Sequence, residues 1–150
     1  MKIALKYGLI ITACFVAWLL IAHWLVPDPQ SPLHSVGAGS FVNIVEILAI
    51  LFGIKARQKA DGGELAFKDG IKTGVAIAAV YGVSASLFFV IELMVLGPKW
   101  LATEPGAGSK PIWQMALGAF VGLGVFAVLF GLIYATIISF IFAKRTRTAA

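Results

Sequence analysis

Charge is the scarcest ingredient of this 150-residue chain, at 13% of residues against roughly 25% in soluble domains. The hydrophobic content is 60%, and a soluble fold of this length has too little interior to hide it. A single cysteine, Cys14, excludes a disulfide framework within the chain. Lying inside an apolar run, it reads as a small buried hydrophobe. Two histidines, His23 and His34, are too few for a metal site of defined spacing. No G-x-S-x-G or H-E-x-x-H occurs, so neither of those hydrolytic centres is expected. The chain is therefore read as non-enzymatic, with no cofactor and no metal. Acidic residues number 7 against 12 basic ones, for a net charge of +5. Those basic residues have no basic-aromatic surface to join, which argues against nucleic acid as a partner.

What the chain does have is four long apolar runs, at about 5–26, 39–56, 71–96 and 112–143. They predict an all-α polytopic membrane protein, one membrane domain over residues 1–150 with four transmembrane helices. Lys2 and Lys6 precede the first run, and Lys55, Arg57, Lys59, Lys68 and Lys72 separate the second from the third. Lys144, Arg145 and Arg147 follow the fourth, so only Lys99 and Lys110 of the twelve lie elsewhere. That asymmetry predicts both termini in the cytoplasm. It also names membrane lipid as a partner: the anionic cytoplasmic leaflet attracts such groups by about 1 kcal/mol per residue. The first run is longer than a signal-peptide core and no A-x-A-like site follows it, so a retained helix is expected.

The fourth run would reach roughly 45–50 Å against a hydrocarbon core of about 30 Å. It is expected to tilt, to kink within Gly118–Gly124, or to protrude. Outer connections are placed at 27–38 and 97–111, with Trp24, Trp100 and Trp113 forming half of an aromatic belt. The basic connection is placed at 56–70, turning at Asp61-Gly62-Gly63. Residues 5–13 and 71–79 share the frame apolar-Lys-x-Gly-apolar-x-Ile-x-Ala, which leaves open two helical hairpins related in parallel.

Small residues recur at every fourth position: Gly74, Ala78, Gly82 and Ser86 in the third run, and Ala127, Gly131, Ala135 and Ser139 in the fourth. Lipid gives little hydrophobic drive between helices, so close backbone approach along such stripes supplies the packing energy. The stripes either join the third and fourth helices within one chain or, above all at Gly118-x-x-x-Gly122, form an oligomer contact.

Glu46 stands out among the polar residues. It lies nine residues from Lys55, roughly 13–14 Å into the bilayer. A carboxylate there costs about 2.5–3.5 kcal/mol, and such residues face the bundle interior. Tyr81 and Tyr134 lie at matching depth from Lys72 and Lys144, so a mid-membrane cluster of Glu46, Tyr81 and Tyr134 is expected, with a carboxyl–tyrosine hydrogen bond. A second polar group, His23, Asn43 and Glu92, is placed toward the outer face.

Several segments resemble a known family. Residues 5–10, Ile54-Lys55-Ala56-Arg57, and Gly131-Leu132-Ile133 leading to Lys144-Arg145 fit its pattern. Residues 62–74, GGELAFKDGIKTG, look like its central G-G-x-[IL]-[ST]-F-x-x-[AG]-[FI]-K-T-G signature, with Ala66 at the Ser/Thr position. This family comprises small bacterial four-helix inner-membrane proteins known as a domain of unknown function. The resemblance covers nearly the whole chain. It implies the bacterial cytoplasmic membrane and brings no activity with it.

The expectation from all of this is a scaffold or accessory subunit that works by helix packing, against other membrane subunits or as a homo-oligomer. The alternative is an oligomeric transporter of protons, cations or small solutes using Glu46.

Overall fold

The computed structural model describes residues 1–25, 37–96 and 111–148. It contains four helices, α1 (Lys2–Leu25), α2 (Ala38–Ala60), α3 (Phe67–Leu96) and α4 (Ile112–Thr148), and no strand among the described residues. All four are long and apolar enough to cross a membrane, over Lys2–Ala22, Gly39–Ala60, Phe67–Val95 and Ile112–Ala143. The protein is thus a multi-pass membrane protein. The connections expected on the outer side, with His34 and Trp100, lie outside the described residues. Trp24 and Trp113 are largely exposed at that end of the bundle.

The helices exceed their apolar runs at the basic end. α2 continues to Ala60 because Arg57 and Lys59 suit the negative end of its dipole, and their long stems reach out of an apolar layer. α3 starts at Phe67, with Asp69 in its first turn, so the basic connection is six residues long (61–66) rather than 56–70. Gly62 and Gly63 adopt φ of +81° and +99°, a region that L side chains avoid. The Gly63 N–H thereby folds back to the Gln58 carbonyl at 2.9 Å, and Gln58 Nε2 donates to the Gly63 carbonyl at 3.0 Å. Arg57 Nε adds an ion pair to Asp61 at 2.6 Å. α4 is a single uninterrupted helix that runs past Ala143 to Thr148 at the basic end. Its 37 residues span about 55 Å.

α3 and α4 share the most extensive contact; α1 packs on α2 and α3, and α2 also touches α4. The core is aliphatic, with Ile11, Ile50, Ile54, Ile77 and Leu93 fully buried. The α3–α4 seam is a ladder of small residues. A Cβ placed on Gly70 would strike Ser139, one on Gly74 would strike Ala135, and one on Gly131 would strike Ala78. A Cβ on Gly82 would stand 3.1 Å from the Ala127 Cβ and 3.2 Å from the Gly124 Cα. Each rung thus sets a glycine against a Ser or Ala, and the rungs are one helical turn apart on antiparallel helices. Ser86 closes the far end, donating to the Gly82 carbonyl at 2.6 Å and to the Phe120 carbonyl at 3.3 Å.

α1 and α3 run parallel. A Cβ on Gly8 would lie 2.6 Å from the Val80 Cβ, and the Thr12 and Ser84 hydroxyls share a hydrogen bond of 2.5 Å. Both pairs are offset by 72 residues, so one register holds along the contact.

Candidate functional site

Glu46 is placed by α2 where that helix meets the α3–α4 seam. Only 3% of its surface is exposed, and its Oε1 has no hydrogen-bond partner among the described residues. The room for it comes from Gly131: a Cβ there would stand 3.3 Å from Oε1. Tyr81, 7% exposed, and Tyr134 are close enough to interact electrostatically with the carboxyl.

The polar groups connect differently from the arrangement drawn from depth alone. Tyr134 donates its hydroxyl proton to Asn43 Oδ1 at 2.6 Å, not to Glu46. Asn43 Nδ2 in turn donates to the Gly39 carbonyl at 2.7 Å. Asn43 is therefore paired with the tyrosine. The physical reason is side-chain length. Tyr134, stacked on Phe130 with ring centroids 6.2 Å apart, carries its hydroxyl about a turn beyond its own backbone level. There it meets the amide instead of the carboxyl. Glu92 is half buried, with Oε2 unpartnered among the described residues. The His23 side chain lies outside the described residues.

Of the small residues singled out from sequence, Gly74, Ala78, Gly82 and Gly131 lie in the seam. Gly118 and Gly122 do not: a Cβ on either meets nothing within 4 Å among the described residues. The reason is angular. Phe120 and Gly124 face α3, which turns 118 and 122 outward on the same helix. Large apolar side chains flank that open strip, among them Leu117, Val121, Val125 and Phe126.

Sequence reasoning missed the Thr12–Ser84 hydrogen bond. Thr12 also donates to the Gly8 carbonyl at 3.2 Å, and its place one turn after a packed glycine was the available signal. It also missed Ser139 Oγ and Trp18 Nε1, which are buried without partners among the described residues, the latter on a ring stacked 4.8 Å from Phe41. Among the described residues no group of three or more His, Cys, Asp or Glu could hold a metal ion. Chemically, the centre of the bundle offers one enclosed carboxyl and a separate tyrosine–amide pair.

No curated protein and no solved structure matches the chain. A family model described as protein of unknown function matches residues 6–103. The matched part runs from α1 through α3 and stops before α4, whereas the resemblance seen in the sequence extended into the last helix. Residues 6–103 are 98 of the 150, about two-thirds of the length, and the chain accordingly belongs to the protein family of unknown function DUF4199.

Proposed function

We propose that the protein is a non-enzymatic scaffold or accessory subunit of the bacterial cytoplasmic membrane, with both termini in the cytoplasm, acting through helix packing. The observation that carries this reading is the open strip at Gly118 and Gly122. Among the described residues a Cβ on either glycine would meet nothing within 4 Å, whereas one on Gly70, Gly74, Gly82 or Gly131 would meet the facing helix. A glycine pair one turn apart flanked by Leu117, Val121 and Val125 is the shape that lets a second helix approach closely. The occupant is another membrane subunit or a second copy of this chain. The test is gentle solubilisation of the wild type and Gly122→Leu, followed by identification of co-purifying chains and measurement of complex size. Loss of partner or oligomer with an unchanged melting temperature is expected. An unchanged complex would overturn the assignment of this face.

A second reading rests on Glu46. An enclosed carboxyl with one oxygen unpartnered could carry a proton or cation through an oligomeric transporter. Proteoliposomes decide between the two readings. A flux abolished by Glu46→Gln favours transport, and its absence in the wild type leaves the carboxyl a structural group.

A further inference from the structure

α1 and α3 touch at Gly8 and Val80, and between that contact and the basic end they line a wedge, a cavity of about 810 Å³. Its rim carries Lys2, Arg57 and Lys72 against one carboxylate, Asp69. Its inner wall is apolar, formed by Ile3, Ala76 and Val80 among others. From Lys72 to Val80 the wall descends about 12 Å along α3. Arg57 is partly neutralised by Asp61, which makes Lys2 and Lys72 the main cations.

We propose that this wedge is a binding site for an anionic phospholipid, with the phosphate at the Lys2–Lys72 rim and the upper acyl chain against Ala76 and Val80. The volume lies in the range of small-molecule sites. The excess of cations over carboxylates at the rim, carried mainly by Lys2 and Lys72, favours a headgroup of net negative charge over a zwitterionic one. The apolar descent below the rim suits an acyl chain and offers a free phosphate or nucleotide no polar partner. Basic pockets between transmembrane helices at the membrane surface are suited to such headgroups. The site is at the end of the bundle opposite Gly118 and Gly122, so it stands or falls separately from the packing face.

The test uses the full chain in neutral detergent, stripped of lipid, with binding followed by native mass spectrometry and thermal shift. Phosphatidylglycerol, phosphatidylcholine and inorganic phosphate are the probes. Phosphatidylglycerol is expected to bind about tenfold more tightly than phosphatidylcholine, and Lys2→Glu with Lys72→Glu to remove that preference. Lys59→Glu, an exposed change off the cavity wall, is the control and should leave binding within about twofold. Ala76→Phe fills the wedge without altering charge and should weaken both lipids. If that variant fails to fold, the exposed lysines still decide the matter. Equal binding of the two lipids would overturn the proposal, as would a Lys59→Glu loss equal to that at the rim. Inorganic phosphate displacing phosphatidylglycerol would reassign the wedge to free phosphate.

Discussion

Glu46 and Gly131 are complementary across the α2–α4 contact: the carboxyl oxygen stands 3.3 Å from the place where any other residue at 131 would carry its Cβ. The same missing side chain admits Ala78 from α3. One glycine therefore joins three helices at the centre of the bundle.

Gly131→Ala is accordingly expected to destabilise the protein by about 1–3 kcal/mol, since neither the Ala78 methyl nor the backbone behind it can swing aside. Adding Ala78→Gly to that variant moves the methyl to the other side of the rung and should recover much of the loss. Melting temperatures of the two single variants and the double variant in detergent check this. A double variant less stable than Gly131→Ala alone would count against the close approach.

Tyr134→Phe removes the hydroxyl from Asn43 and should cost about 0.5–1.5 kcal/mol, the range for hydrogen bonds between membrane helices. The partner is identified by coupling. Tyr134→Phe should couple more strongly to Asn43→Ala than to Glu46→Gln, measured as unfolding free energies in a double-mutant cycle. The opposite pattern would return the tyrosine to the carboxyl.

Thr12 and Ser84 tie α1 to α3 one turn beyond the Gly8–Val80 contact. Thr12→Val and Ser84→Ala are each expected to cost less than about 1.5 kcal/mol, because both hydroxyls also have a carbonyl in their own helix to bond to. A coupling energy of about 0.6 kcal/mol is expected between them. Additive losses would mean that the two hydroxyls act separately.

Orientation is tested by single cysteines in a Cys14→Ala background. A cysteine at 106 should react with an impermeant thiol reagent in intact cells, and one at 66 should not. Reaction at 66 alone would invert the topology.

The number, order and class of the helices were legible because apolar length and flanking charge are properties of contiguous sequence. Helix ends were less so, since Arg57, Lys59 and Lys68 look like loop residues until their apolar stems are counted as part of a helix. The stripe through Gly74, Ala78 and Gly82 could be read from its four-residue period. The different fate of Gly118 and Gly122 could not, because the same spacing serves an inward or an outward face and only the partner's position decides. Depth counting put Glu46, Tyr81 and Tyr134 in one layer but ignored that a tyrosine hydroxyl acts far from its own Cα. The wedge beside Lys2 and Lys72 was hidden for a further reason: it depends on how residues of three helices come together in space.

The α3–α4 ladder has a consequence for sliding. The rungs are about 6 Å apart, so α4 could in principle move one turn along α3 and meet small residues again. In one direction Ala78 would then face Ala135, and in the other Ala127. Either way a methyl meets a methyl where the helices leave room for a hydrogen only. On this stripe of α4, Gly131 is the one position that accepts Ala78, so the mixture of glycine and alanine acts as a key with a single notch. A ladder of glycines alone would pack as closely yet permit pistoning; this one fixes the axial position of α4 and presents its outer face at a constant height.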